Sequence, residues 1–249
     1  MDSMSLQTVI LIAVVFALAG FVKGVVGLGL PTVSLALLTA TIGLKEAIAL
    51  MLVPALLTNV WQGFVGGAFT KIVRRIWTLL ITSCIGIWIG TGVLAGADAT
   101  ILAGLFGVLL CAYSSYSLAM PQIPPPGRHE GWLSPTIGAV AGVVTGLTGS
   151  YTVPGVLYLQ ALGQPRDVLV QTMGIVFVVL TIALAVSLSG HDLLPAHLGL
   201  LSAGAFVPTA AGMMAGQTIR RRLPEDSFRT VFFVALLVIG LYIAGRAFL

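Results

Sequence analysis

Few charged residues interrupt this chain, and they divide it into long uncharged stretches. Most of these stretches reach the roughly 20 residues that a helix needs to cross about 30 Å of hydrocarbon. Only 8% of the residues are charged and the mean hydropathy is +1.08, whereas a soluble domain carries about 25% charged residues. This excludes a cytosolic enzyme, a nucleic-acid-binding protein and a disordered tail, and it predicts an integral membrane protein with several spans.

Six of the stretches fit one membrane crossing each, and they are Ala47–Gly66, Ile76–Leu94, Ala99–Ala119, Val168–Leu188, Pro195–Ile219 and Ser227–Phe248. Two further stretches, Leu6–Leu44 and Leu133–Leu162, are interrupted by glycines and a later proline. Beyond the interruption, Pro31–Ile42 amounts to about 18 Å of helix and Pro154–Leu162 to about 14 Å, at 1.5 Å per residue. Neither arm can cross a bilayer, so we expect two helical hairpins that enter halfway and turn back.

The two interrupted stretches also resemble each other. Ala19–Gly24 aligns with Ala141–Gly146, and Gly27 aligns with Gly149, at a separation of 122 residues. This internal similarity predicts a duplication within a single membrane domain, residues 1–249. Its parts are repeat 1 (6–120), a proline- and glycine-containing linker (121–131) and repeat 2 (132–249).

The charges of the loops indicate a topology, because positively charged loops tend to face the cytoplasm. If each interrupted stretch returns to the side from which it enters, nine of the twelve Lys and Arg residues lie on the cytoplasmic side. These nine are Lys71, Arg74, Arg75, Arg128, Arg166, Arg220, Arg221, Arg222 and Arg229. The predicted fold is thus all-α, with two inverted repeats that each consist of a broken re-entrant hairpin and three transmembrane helices. We expect a bacterial inner-membrane location with both termini outside.

The interruptions have the composition of an anion site. Pro31 and Pro154 each suit the first turn of a helix, and the positive end of such a helix accepts carboxylate, sulfonate or phosphate groups. Glycines allow a ligand to approach the backbone closely, although small residues also serve simply for close helix packing in membranes. The candidate residues at the two tips are Gly24, Gly27, Pro31, Thr148, Gly149, Ser150 and Pro154.

Other polar residues within the apolar stretches complete the set of candidates. Lys23 is a cation deep in the first stretch, and an ionisable group inside a membrane suggests function unless it reaches the interface. The remaining candidates for substrate binding are Asn59, Gln62, Tyr158 and Gln171. Hydrogen bonds between helices are the alternative role for Asn59 and Gln171.

Several kinds of chemistry lack the residues that they need. All eight carboxylates lie in loops or at the boundaries of the stretches, so no buried proton relay is evident. There is no phosphate-binding loop, no metal-ligand spacing among the three histidines and no nucleophile motif. We therefore expect that the protein binds neither a cofactor nor a metal ion and that it is not an enzyme. The expected partners are a small anionic solute and the lipid bilayer, with no nucleic acid.

The order of these motifs resembles that of the TauE/SafE sulfite exporter family, also called the toluene-sulfonate uptake permeases. Both glycine-rich interruptions, Leu57–Gln62, Pro154–Gly163 and Arg166–Gln171 contribute to the resemblance, which covers nearly the whole chain. It implies a secondary transporter of sulfite, sulfoacetate or other sulfonates. An inside-negative potential drives anions outward, so we expect an exporter, with a passive anion channel or a non-transporting membrane scaffold as alternatives.

Overall fold

The structure, a computed structural model, describes residues 6–27, 29–119, 124–220 and 225–248, and for 225–227 only the backbone. This part of the chain forms ten α-helices and contains no strand. They are α1 (Leu6–Val26), α2 (Leu30–Thr41), α3 (Leu44–Phe64), α4 (Phe69–Gly96), α5 (Ala99–Ala119), α6 (Glu130–Thr148), α7 (Leu157–Ala161), α8 (Arg166–Gly190), α9 (Ala196–Arg220) and α10 (Glu225–Phe248). The all-helical prediction is confirmed.

Seven of the described helices are long and apolar enough to cross a membrane. Six of them, α3, α4, α5, α8, α9 and α10, correspond to the six predicted crossings. The seventh is α1, whose 21 residues amount to about 32 Å of helix. The expectation of a hairpin that enters only halfway is therefore wrong for its first arm, because the helix continues through Lys23 and Gly24 instead of breaking there. Only the returning arm, α2, is short, with 12 residues.

Two long helix pairs pack through glycines, with backbone against backbone. In the α1–α9 pair, a Cβ atom on Gly20 would lie 2.2 Å from the Thr209 carbonyl oxygen, and one on Gly216 would lie 2.2 Å from that of Phe21. In the α4–α6 pair, a Cβ atom on Gly142 would lie 2.3 Å from the carbonyl oxygen of Ser83. Real Cβ atoms are not found at such distances, so these crossings require glycine.

One end of the helix bundle is rich in basic residues. Side-chain contacts hold α4 to α6 there, since Arg75 forms two hydrogen bonds of 2.6 and 2.8 Å with the Glu130 carboxylate. Arg229 of α10 donates to the Ser117 carbonyl of α5 at the same end. The described basic residues of this end, hereafter the basic end, are Lys71, Arg74, Arg75, Arg128, Arg166, Arg220 and Arg229. Arg221 and Arg222 lie outside the described residues.

The opposite end carries few cations. Lys45 lies in the first turn of α3 and Arg246 in the last turn of α10, where Arg246 donates to the Ala40 carbonyl of α2. Between α4 and α5, the Asp98 carboxylate accepts a hydrogen bond of 2.6 Å from the Thr100 amide, which lowers the pKa of Asp98. The described residues of both basic loops therefore lie at one end of the bundle, as the charge pattern predicts.

Candidate functional site

The first interruption is a sharp break between α1 and α2. Gly27 and Gly29 both have positive φ angles, of 88° and 103°, which residues with a Cβ atom rarely adopt. Gly29 is the N-cap of α2, and Pro31 lies in its first turn. The Val33 amide makes the first intrahelical bond, to the Gly29 carbonyl at 2.9 Å. The prediction that Pro31 opens a short helix is confirmed.

The second interruption has a different geometry. Gly149, with a φ angle of 73°, is the C-cap of α6. Val153 then has an extended backbone, with φ and ψ of −124° and 127°, and helical backbone continues from Pro154 into α7, with the Leu157 amide bonded to the Pro154 carbonyl. A Cβ atom on Gly155 would lie 2.2 Å from the Tyr151 ring, so the chain turns around this ring before regular helix begins. Pro154 thus stands at the start of a short helical segment, as predicted, although the regular helix α7 is only five residues long and carries little helix dipole.

The two interruptions nevertheless meet. Pro31 lines two small cavities of about 20 and 30 Å³ that lie between the breaks. Ser150 and Thr152 line the first of these cavities, and Gly149 lines the second. Phe177, at the middle of α8, lines both. The site is consequently near mid-height of the bundle, although 119 residues separate Pro31 from Ser150 in the chain.

Hydroxyl groups are concentrated on the side of the second break. The Ser150 and Thr152 hydroxyls lie 2.9 Å apart and are hydrogen-bonded. Thr148 donates to the Val144 carbonyl and accepts a bond from the Ser150 amide, so its hydroxyl stabilises the end of α6. Ser150 and Thr152 thus place hydroxyls of the second break at the first cavity, and Thr148 stabilises the chain beside them.

Lys23 lies in the last turn of α1 and is buried, with 5% of its surface exposed. Its ammonium group donates to Thr58 Oγ1 at 3.0 Å and to Asn59 Oδ1. Asn59 is 1% exposed, and its Nδ2 atom has no hydrogen-bond partner among the described residues. Val22, the residue before Lys23, lies beside Gly29 of the first break. The Lys23–Thr58–Asn59 cluster therefore lies next to the first break, between α1 and α3, although none of its three residues lines either cavity.

Four of the predicted site residues make structural contacts away from the cavities. Gln171 donates to the Gly63 carbonyl and accepts from the Ala68 amide, and Gln62 donates to the Val170 carbonyl. The other two are Tyr158, whose hydroxyl lies 2.6 Å from that of Ser134, and Gly24, whose Cβ position would lie 2.3 Å from the Met213 carbonyl oxygen.

The sequence analysis missed several residues that line the cavities. Thr32 follows Pro31 directly, and Tyr113 and Phe177 reach the first cavity from α5 and α8. Tyr151 lines both cavities, with its ring edge-on to that of Phe177 at a centroid distance of 6.4 Å. Only Tyr113 carried a usable signal, as a polar aromatic residue within an apolar helix. The others lie in unremarkable sequence and become recognisable through the fold alone.

Residues 12–243 match the sequence profile of the family described as sulfite exporter TauE/SafE. Comparison with curated proteins and with solved structures finds no match to this chain. The family match includes both interruptions, the Lys23–Thr58–Asn59 cluster and all seven candidate membrane spans in whole or in part. The chain therefore belongs to the TauE/SafE sulfite exporter family, which is a family of membrane transporters and not of enzymes.

Proposed function

We propose that this protein exports small sulfur-containing or organic anions, such as sulfite and sulfonates, across the bacterial inner membrane. The observation that supports this function best is that two chain breaks meet in one buried region of the helix bundle. These breaks are Gly27–Pro31 and Gly149–Thr152. Irregular backbone at such depth is tolerated where it lines a pathway or is buried in protein, and transporters bind their substrates where such breaks meet.

The groups around the breaks are suited to an anion. The Leu30 and Thr32 amides precede the first intrahelical bond of α2, so they belong to its positive end. Ser150 and Thr152 add hydroxyls. Lys23, whose carbonyl accepts a hydrogen bond from the Gly27 amide, adds a positive charge next to the first break. Buried hydrogen-bond donors without an acidic neighbour favour a negatively charged ligand.

The small size of the cavities favours a carrier over an open channel. Cavities of about 20 and 30 Å³ hold roughly one water molecule each, which is too little for a sulfonate group. An anion can enter only after the break segments move apart, and a step of this kind limits the rate of a carrier. In an open channel the same place would be a continuous aqueous pore.

We further propose that the halves are inverted repeats, with the basic end in the cytoplasm and both termini outside. Exchange of the halves pairs α1 with α6, α3 with α8, α4 with α9 and α5 with α10. This exchange converts the α1–α9 contact into the α6–α4 contact, and it converts α3–α9 into α8–α4. The first hairpin returns to the end where α3 begins, and the second returns to the basic end. These relationships support the two-fold arrangement.

Reconstitution into liposomes tests the proposed function. Vesicles loaded with sulfite or methanesulfonate should release it in a saturable manner, faster when a valinomycin–potassium gradient makes the interior negative, because each 100 mV adds about 2.3 kcal/mol per charge. Flux that rises linearly with concentration would indicate a passive channel. Absence of any protein-dependent flux would favour the scaffold alternative. A rate that does not respond to the imposed potential would contradict export driven by the potential.

A further inference from the structure

Lys23 is the single charged side chain among the buried residues that the structure describes. Its two partners are neutral. Thr58 already gives its own hydroxyl hydrogen to the Pro54 carbonyl at 2.7 Å, so it can only accept from Lys23. Asn59 accepts through Oδ1, and no described carboxylate forms an ion pair with Lys23. In its ammonium form, the Lys23–Thr58–Asn59 cluster thus carries one uncompensated positive charge.

The same cluster has hydrogen-bond donors to spare. An ammonium group has three N–H bonds, of which two are directed to Thr58 and Asn59. The Asn59 Nδ2 atom contributes two further N–H bonds, and it is fully buried with no partner in the described chain. A buried donor without a partner costs about 1–3 kcal/mol. The cluster therefore suits a ligand that accepts hydrogen bonds and carries one negative charge.

We propose that the Lys23–Thr58–Asn59 cluster lies on the transport path beside the first break, and that it selects singly charged anions and rejects dianions. Its substrates would be hydrogen sulfite and alkylsulfonates, whereas the sulfite dianion and sulfate would be excluded. The reason is charge balance: one Lys23 ammonium neutralises one negative charge, and a second buried charge without a partner is costly in a low-dielectric surrounding. This inference rests on the proposed function and adds the charge state of its substrate.

The neighbouring helices supply no second charge near the cluster. α2 has no titratable side chain, and those of α3 and α9 lie in their terminal turns. They are Lys45 and Glu46 at the start of α3, and His197 and Arg220 near the two ends of α9. On α10, which contacts α1 through Phe228, Arg229 is directed to the Ser117 carbonyl of α5. Among the described side chains around the cluster, Lys23 is therefore the one charge.

The test compares sulfite with methanesulfonate in proteoliposomes at a series of pH values. Sulfite changes from monoanion to dianion near neutral pH, whereas methanesulfonate stays a monoanion throughout. We expect sulfite flux, divided by methanesulfonate flux at the same pH, to fall about tenfold per pH unit above this transition. This ratio corrects for any titration of the protein. Excess sulfate should not inhibit either flux. Equal transport of sulfate, or sulfite flux that follows total sulfite at all pH values, would overturn the proposal.

Substitutions at Lys23 separate charge from shape. Lys23→Gln should reduce methanesulfonate flux about tenfold or more, the equivalent of one charged hydrogen bond, while Lys45→Gln should leave it unchanged. Lys23→Arg keeps the charge and should keep the preference for monoanions even at a lower rate. A Lys23→Gln protein that still prefers monoanions would overturn the proposal. If the unmodified protein moves none of these anions, the proposed function fails as well, so the two failures are distinguishable.

Discussion

Lys23 and Asn59 are 36 residues apart in the chain, and a hydrogen bond from the ammonium group to the amide oxygen joins them. The bond ties the end of α1 to α3 directly before the first chain break. The end of α1 is also fixed against α9 by Gly24. The break at Gly27–Gly29 is therefore held firmly on its α1 side, and motion during transport is expected on the side of α2.

Asn59→Asp should block transport without unfolding the protein. The new carboxylate would form an internal ion pair with Lys23 and take the place of the substrate anion, and a paired buried charge is tolerated. We expect methanesulfonate flux to fall to background while the thermal unfolding temperature in detergent stays the same or rises. Asn59→Leu is the matched variant, since it removes the Lys23 partner and should lower stability by about 1–3 kcal/mol. Normal flux in Asn59→Asp would contradict the assigned role of Lys23.

Two glycines on α9 make a matched pair for the helix crossing. Gly216→Ala places a methyl group 2.2 Å from the Phe21 carbonyl oxygen and should destabilise the protein by about 1–3 kcal/mol. Gly204→Ala on the same helix meets no atom within 4 Å and should be neutral. Thermal unfolding followed by size-exclusion fluorescence measures both. Equal stability of the two variants would disprove the backbone contact between α1 and α9.

Positive φ angles allow a second matched comparison. Gly149 and Gly163 have φ angles of 73° and 64°, so Ala at either position is strained to a similar degree. Only at Gly149 would the new Cβ atom also collide, at 2.8 Å from Ile48 Cγ1 beside the cavity, whereas Gly163 has open space. We expect Gly149→Ala to lose most of its flux and Gly163→Ala to keep it. Comparable flux in both would remove Gly149 from the site.

Gln171 should prove to be a structural residue. Its side chain is 1% exposed and bonds the Gly63 carbonyl and the Ala68 amide, which holds the α3–α4 turn against α8. Gln171→Leu should lower stability by about 2–4 kcal/mol, since it leaves two buried polar groups without partners. The KM for methanesulfonate should remain within about twofold, because the side chain bonds the Gly63 and Ala68 backbone and lines neither cavity. A large rise in KM at unchanged stability would restore Gln171 as a substrate ligand.

The positions of the membrane spans follow from charge alone, which is why the sequence locates them to within about two turns. Each predicted crossing, for example Val168–Leu188 within α8 (Arg166–Gly190), ends where a charged or polar boundary meets water. The break at Gly27–Pro31 is also predictable, because two glycines and a proline in an apolar stretch leave few regular conformations.

Other candidate site residues make contacts that depend on the tertiary structure. From the sequence alone, Gly24 is equally compatible with a flexible hairpin tip and with close helix packing. Its contact with Met213 on α9 shows the packing, which the sequence does not reveal. Gln62 and Gln171 are polar residues in apolar helices, and their carbonyl partners lie on helices more than 100 residues away.

The glycine contacts between α1 and α9 bear on how the protein is made. α1 is synthesised first, yet the residues that cover its glycine face, around Gly212 and Gly216, follow about 190 residues later. α4 and α6 are made in close succession and can join early. During synthesis, the glycine face of α1 therefore stays uncovered in the bilayer until α9 is made. A ribosome that stalls before α9 leaves an incomplete protein that membrane proteases can recognise.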